Sequence, residues 1–431
     1  MRRIGLTLNI AGDSIWPESG NQRNRDLRQG DPLFVSLFSG AGGLDIGLEQ
    51  AGWKCVYAGD NDQSATETLL RNKGFLLGSA RTALADAFLE RADIRDLTAK
   101  EILRKSGVTR GEISLLAGGP PCQSWSSAGH QLGFDDPRGR LFDDFVRVAN
   151  GLDARWLLLE NVRGLLTARG ADGQPGSALA HIRQRLLDAG FQTTVRLLNA
   201  ADFGVAQRRV RLFIIGFRSG DPPPFPEPTH QKARWVPLRT AIESVADIRP
   251  DEIVRPNPKL AVELANIPDG RGVKSPGKTE RTRPSGHWGY KQGAFIADLD
   301  QSARTVTANA QQDWIRDPVL GLRKLAPREC AAIQSFPAGW QFSGGTATQY
   351  RLIGNAVPPI LARAIGVALL DHVRKTASID DLRFDAPLPL SDELVAAIRY
   401  TAREEASNGE SRRLVGKRRP SPLFGVAVSG A

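Results

Sequence analysis

Leu33-Phe-Val-Ser-Leu-Phe-Ser-Gly-Ala-Gly-Gly-Leu44 is an apolar run that breaks into glycines and resumes as a helical pattern. Strand, glycine-rich turn and helix in that order open a nucleotide-binding unit, because glycines let the backbone approach a ligand closely. Lys54–Ala58 continues as a second strand ending at Asp60. That carboxylate lies about 20 residues past the glycines, where it can accept from ribose hydroxyls. Asp93, with Ile94, sits near the end of a third strand and could hold an adenine amino group. The set suits an adenosyl ligand without separating a dinucleotide from S-adenosylmethionine. Without a ligand it would be a tight strand-to-helix turn.

Outward from this unit, short apolar runs alternate with helical patterns from Asp31 to about Arg218. The alternation predicts an α/β fold with a mostly parallel sheet. Ile113–Ala117 and Arg155–Leu159 are continuous apolar runs, as expected of strands covered on both faces. Leu141–Asn150 reads as a helix; Leu179, Ile182 and Leu186 recur at helical spacing before a stop at Gly190. Thr193–Leu198 and Val210–Phe217 read as a closing antiparallel pair. At Asp221 a proline-rich linker begins, and residues 219–320 show little periodicity but carry Trp235, Trp288 and Trp314, which favour a small ordered domain. Helical patterning returns in Pro327–Gln334 and Pro359–Lys375, and Ser391-Asp-Glu-Leu opens another helix. The expected divisions are a 1–30 extension, a 31–218 main domain, a 219–320 insertion, a 321–378 return segment and a 379–431 helix and basic tail. Composition predicts disorder for the tail after Ser407 and for much of residues 1–30.

The chain has 431 residues, 41% apolar and 24% charged, enough for a sizeable core. Cys55, Cys122 and Cys330 are odd in number and lack a CxxC pair. They argue against a disulfide framework or zinc site and for a reducing compartment. No signal peptide or membrane span is expected. The formal net charge of +10 suggests a polyanionic partner once a site requires one.

Gly118-Gly-Pro-Pro-Cys-Gln-Ser-Trp-Ser126 follows the Ile113–Ala117 strand and delivers Cys122 into a cleft. An isolated cysteine is most often a small buried residue; an ionised one is a soft nucleophile. Glu160-Asn161-Val162 occupies the same strand-end position on the next run. A thiol and a carboxylate would then share one crevice, and a glutamate in a dry cleft has a raised pKa and can donate a proton. The alternative is a surface Glu that ends a strand. In Gln207-Arg-Arg-Val-Arg211, period-2 alternation puts Arg209 and Arg211 on one face. They could lower the thiol pKa, hold a phosphate, or be solvated charges on an edge strand. Gly354-Asn-Ala-Val-Pro-Pro359 reads as a rigid turn before a helix.

The ordered set FSGAGG, GDND, ADI, GGPPCQSWS, ENV, QRRVR, PRECAAIQSFP and GNAVPP resembles the motif series of the cytosine-5 DNA methyltransferases, over residues 33–218 and 322–375. Trp125 stands where the family usually has Phe, and Asp60-Asn61 where a Glu with a bulky neighbour is commoner. The resemblance implies a Rossmann-like S-adenosylmethionine-dependent domain with a smaller irregular target-recognition domain between QRRVR and PRECAAIQ. It implies Cys122 as nucleophile, Glu160 as partner of ring nitrogen 3, and Arg209 and Arg211 as orienting groups, with Gln123 and Asn161 beside them. The cofactor would be held by Phe38, Ser39, Gly40, Gly42, Gly43, Leu44, Asp60, Asn61, Asp93, Ile94, Pro121 and Leu141, and by Asn355 and Val357 from the returning segment.

Thr305-Val-Thr-Ala matches the family's short Thr-rich element, so Ser126, Arg208, Arg304, Thr305, Thr307 and Gln311 are the expected DNA contacts. Arg281, Arg283, Gln312 and Arg316 are also suited to base edges, though each singly is more often a phosphate contact or surface charge. The partner is duplex DNA with the target base flipped out. The expected setting is a monomer in the bacterial cytoplasm, paired with a restriction endonuclease without a stable complex. A family branch that modifies RNA and an inactive DNA-binding protein are the competing readings. The size of the insertion disfavours the first, and intact Cys122, Glu160 and Gln207–Arg211 disfavour the second.

Overall fold

The computed structural model describes residues 31–78, 81–121, 140–218, 220–245, 248–273, 293–375 and 384–403. Strand β1 (Leu33–Leu37) leads into α1 (Gly43–Ala51), β2 (Lys54–Asp60), α2 (Gln63–Arg71), the hairpin β3–β4 (Phe75–Leu77, Arg81–Ala83) and β5 (Phe88–Arg91). Then come α3 (Ala99–Ser106), β6 (Ile113–Gly118), α4 (Arg140–Leu152), β7 (Trp156–Val162), α5 (Ser177–Asp188), β8 (Gln192–Asn199) and β9 (Val210–Phe217). The seven-stranded sheet has the order β5-β2-β1-β6-β7-β9-β8. Its first five strands are parallel; β9 runs antiparallel between β7 and β8. The chain therefore builds outward from β1 in one direction and from β6 in the other. The crevice at such a reversal, outside the strands' C-terminal ends, is where ligands bind in open α/β sheets. The loops leaving β1 and β6 are FSGAGG and GGPPC.

Successive residues of the central strands serve opposite layers, as the pleat requires. Phe34, Leu115 and Leu158 join the core beneath α1, whereas Val35, Leu116 and Leu157 join the core beneath α3, α4 and α5. The rest of the described chain holds α6 (Leu238–Glu243), α7 (Pro258–Ala265), a small sheet β10–β13 (Arg271–Gly272, Phe295–Ile296, Trp314–Asp317, Gly321–Lys324), α8 (Pro327–Ile333), α9 (Thr346–Asn355) and α10 (Pro359–Lys375). A last helix, α11, spans 392–403.

Helix α10 lies against α1 because both carry glycine at the crossing. A Cβ on Gly47 would sit 2.4 Å from Ala362 Cβ, and one on Gly366 2.8 Å from Ala51 Cβ. The stretch Thr346–Lys375 is long and apolar enough to cross a membrane, but it is two helices broken at residues 356–358, with 67% of its most apolar window buried.

Three expectations need correction. Gly354 and Asn355 form the last turn of α9 rather than a free-standing turn. Strand β9 is internal to the sheet, so Arg209 and Arg211 do not lie on an edge strand. A boundary at 320/321 would cut the β12–β13 hairpin, whose four register pairs keep Gly321–Lys324 with the small sheet. The insertion is also less separate than its composition suggests. Phe225, Leu238, Ala241, Ala303 and Val306 belong to the main core, and among the described residues Leu264, Ile267, Ile296 and Trp314 form a small buried core of their own.

Candidate active site

Strands β6 and β7 are parallel neighbours with Gly118 opposite Leu159, so Glu160 stands one residue past that pair at the open end of the crevice. A Cβ at position 119 would lie 3.1 Å from Glu160 Oε2, and Asn161 Nδ2 donates to the Pro120 carbonyl at 3.2 Å. The ENV segment thus holds the Gly119-Pro120 backbone that leads into Cys122. Cys122, Gln123 and Ser126 lie outside the described residues, as do Arg281, Arg283 and Trp288.

Glu160 is opposite Phe213 across β7 and β9, which brings Arg211 diagonally onto its face. Arg211 Nε meets Glu160 Oε1 at 3.1 Å, with both side chains about one-seventh exposed (15% and 13%). Burial raises the Glu160 pKa and outweighs Arg211 and Arg209, which favour the anion. The carboxyl therefore takes a proton more readily than a surface glutamate while its position is held by a cation. Arg209 does different work: fully buried, it donates to Val306 O (3.2 Å) and Gly354 O (2.7 Å). The solvated-charge reading is excluded for it.

Beside this pair, at the ends of β1, β2 and β5, is a cleft of about 490 Å³. Of the residues the sequence points to, Phe38, Asp60, Asn61, Asp93, Ile94, Pro121 and Leu141 line it; Asp62, Arg91 and Arg95 are additions. Phe38 turns the chain at a positive φ of 57° and Gly40 follows at 56°. The turn points Gly40 N–H at Asp60 Oδ2 (2.9 Å), while Asp62 N–H donates to Oδ1 (2.8 Å). Burial raises the Asp60 pKa against those two bonds. Asp93 is held lower than an ordinary carboxylate by Arg95, which donates to both of its oxygens.

Ser39, Gly42, Gly43 and Leu44 act beneath the cleft rather than along its wall. Ser39 Oγ donates to Ser36 Oγ at 2.9 Å, Gly42 caps α1 with φ 83°, and Leu44 is core. A Cβ on Gly43 would be 2.2 Å from Val357 O, so the returning segment supports the loop from behind. Asn355 is exposed at the end of α9 and does not line the cleft.

A family model described as C-5 cytosine-specific DNA methylase matches residues 33–371. The chain is 32% identical over 353 residues to the Type II methyltransferase M.FnuDI of Fusobacterium nucleatum, covering 77% of this chain and 92% of that one. It is 30% identical to M.MthTI of Methanothermobacter thermautotrophicus, covering 77% and 95%. The chain belongs to the C-5 cytosine-specific DNA methylase family.

It is a DNA cytosine-5 methyltransferase of the Type II, restriction-modification kind, with the α/β fold of its class. The S. pombe Dnmt2 methyltransferase shares that fold at 18% identity (TM-score 0.55, covering 79% of this chain and 99% of that one).

The methylase keeps most of its expected DNA-contacting side chains occupied. Thr305 Oγ1 donates to Arg208 O (2.8 Å), and the Arg208 N–H and guanidinium turn toward Ala303 O. Arg304 stacks on Phe295 at 4.2 Å and faces Asp313 at 3.8 Å. Arg316 donates to Leu264 O, Ile267 O and Asp269, closing the C-terminal end of α7. Only Gln311, of the expected base readers in the described residues, is exposed. Its loop is stiffened by Asn309 Oδ1, which accepts from Thr307 Oγ1 and Gln311 N–H, and by Gln312 Nε2, which donates to Thr307 O at 2.8 Å. The roles of Gln207 and Gln334 escaped the sequence reading. Their amides meet across 127 residues of chain, and no local spacing signals it.

Proposed function

We propose that this methylase transfers the methyl group of S-adenosylmethionine to carbon 5 of a cytosine flipped out of a specific duplex DNA site, through a covalent adduct with Cys122. The observation that carries the reading is the Glu160–Arg211 pair formed between β7 and β9, beside the parallel strand β6 that leads to Cys122 and next to the switch-point cleft. Asp60 offers acceptor lone pairs suited to ribose hydroxyls, and Phe38, Ile94, Pro121 and Leu141 offer apolar surface for a base. The glycine-rich loop lets a ligand approach the backbone, so the residues present fit an adenosyl group. When bound, that cofactor supplies an electrophilic methyl group.

The chain's own residues then do the rest. Cytosine carbon 5 is too weak a nucleophile alone. Addition of the Cys122 thiolate at carbon 6 forms an S–C bond and pushes an electron pair toward carbon 5, while Glu160 donates its proton or a hydrogen bond at ring nitrogen 3. Burial keeps that proton available, and Arg211 holds the carboxyl in place. After methyl transfer, a solvent base takes the carbon 5 proton, the carbon 5–carbon 6 double bond re-forms as Cys122 leaves as thiolate, and ring nitrogen 3 returns its proton to Glu160, which restores the aromatic ring. A stacked base cannot reach these groups, so the cytosine must leave the helix.

We further propose that the methylase works as a monomer in the bacterial cytoplasm and shields sites from a cognate endonuclease without a stable complex; the modification role is supported by its similarity to Type II methyltransferases. We expect the small sheet and the Thr305–Gln312 segment to read the site. Cys122→Ser is expected to bind duplex DNA normally in a gel shift and to lose methyl transfer by at least about 10³-fold. The wild type should form a denaturant-stable adduct with 5-fluorocytosine DNA when S-adenosylmethionine is added. A normal rate in Cys122→Ser, or adducts on RNA but never on DNA, would overturn the reading.

A further inference from the structure

The carboxamides of Gln207 and Gln334 are both fully buried, and Gln207 Nε2 donates to Gln334 Oε1 at 2.8 Å. Each amide also holds a different segment. Gln207 Oε1 accepts from Val306 N–H at 2.8 Å, inside the Thr-rich segment that precedes the exposed Gln311 loop. Gln334 Nε2 donates to Ile353 O at 2.6 Å and lies 3.4 Å from Ala356 O, at the end of α9. Arg209 runs a second connection in parallel, from Val306 O to Gly354 O.

The end of α9 is squeezed on both sides. On one side, a Cβ at Gly354 would be 2.2 Å from Thr307 O and 2.5 Å from Ala308 N. On the other, Val357 O stands against Gly43 of the glycine-rich loop, at 2.2 Å from where its Cβ would be. Residues 353–357 therefore have the DNA-side segment on one flank and the cofactor-side loop on the other.

We propose that Gln207 and Gln334 form a positioning pair that couples occupation of the Thr305–Gln312 segment by DNA to the cofactor loop. This rests on the functional reading above. Neither amide touches the cleft, so neither is catalytic. Their orientations are mutually determined: turning Gln207 over would set its NH2 against Val306 N–H and its oxygen against the Gln334 oxygen. A shift of Val306 must then carry Gln334 and residues 353–356 with it, or leave buried polar groups unpaired, which is costly. Because 353–357 abut Gly43, the shift reaches the cofactor side. Coupling of this kind is reciprocal, so a cofactor analogue must also act on the DNA-side segment.

The test is calorimetric. The Kd of S-adenosylhomocysteine is measured on the full chain, alone and with a saturating duplex fragment that the wild type methylates. We expect DNA to tighten binding by about fivefold or more in the wild type. In Gln334→Leu the ratio should fall below about twofold, with the DNA-free Kd changed less than the ratio. An unchanged ratio in a folded Gln334→Leu protein would overturn the proposal.

Should that variant fail to fold, hydrogen exchange on the wild type decides. S-adenosylhomocysteine alone should slow exchange at residues 304–312 as well as at 38–44 and 353–357, and protection confined to the latter two overturns the proposal. Failure of the functional reading would show separately, as absence of 5-methylcytosine in any duplex treated with the wild type.

Discussion

At the scale of single residues, Glu160 shows how one carboxyl is given a proton and a position by different neighbours. Burial at the end of β7 raises its proton affinity, and Arg211 at 3.1 Å restrains it without fully reversing the shift. Glu160→Gln keeps a hydrogen-bond donor of the same shape but has no proton to give. Its kcat is expected to fall about 10²-fold or more, with DNA affinity unchanged. Because a raised pKa keeps Glu160 protonated to higher pH, the wild-type rate should decline on the alkaline side as that proton is lost. A pH–rate profile of the Gln variant should lack that limb. The arginines carry the opposite lesson. In the sequence Arg209, Arg304 and Arg316 look like free cations in a basic chain. In the fold they are engaged by Val306 and Gly354 carbonyls, by the Phe295 ring, and by the end of α7. Guanidinium donors satisfied by distant backbone leave no mark on local spacing.

At the scale of elements, α1 joins the glycine-rich loop to the core and carries two buried carboxyls one turn apart. Asp45 is fully buried and makes no well-formed hydrogen bond; burial, opposed by the nearby Ser36 hydroxyl and reinforced by Asp60, raises its pKa to about 7. Glu49 accepts from Leu84 N–H at 2.8 Å, yet burial and Asp45 bring it to about 8. Both groups bind protons more tightly folded than unfolded. Their contribution to stability is complete below pH about 4 and is lost as pH rises through about 7 to 8. A melting series from pH 5 to 8.5 should show wild-type Tm falling with pH, and Asp45→Asn should flatten the slope and raise Tm by about 2–4 °C at the alkaline end. Elements whose apolar residues alternate between two cores were legible in the sequence, as in β1, β6 and β7. Helix α9 was not. It begins at Gly345 without a side-chain cap, opens on β-branched threonines and ends in Gly354-Asn355, so packing of Tyr350, Leu352 and Ile353 against the core decides it.

At the scale of the whole molecule, the family match stops at residue 371, but the fold continues. Phe384 meets Phe217 edge-on at 5.9 Å, and Gln192 on the outermost strand β8 donates to Ala386 O (2.9 Å) and accepts from Leu388 N–H (3.0 Å). Leu394 on α11 is 3% exposed in the core beneath α4 and α5. These contacts cover the start of the sheet's last strand at Gln192, on an edge that otherwise invites pairing with another chain. Truncation after Lys375 is expected to lower Tm by about 5 °C or more and to promote aggregation, while the methylated DNA word stays the same; light scattering and sequencing of methylated DNA check both. The sequence by itself determined the α/β class, the strand that precedes Cys122, the acidic strand ends at the cleft and the family motifs. Each of those depends on residue type and short-range order, which survive without a fold. Only the tertiary structure decided which arginines are already engaged, where the small sheet ends, and that two glutamines join Val306 to the end of α9. Those outcomes depend on partners outside the local sequence, 49 residues away for Arg316, 127 for the glutamine pair and 145 for Arg209, and only the packed sheet and its returning helices bring them within hydrogen-bond reach.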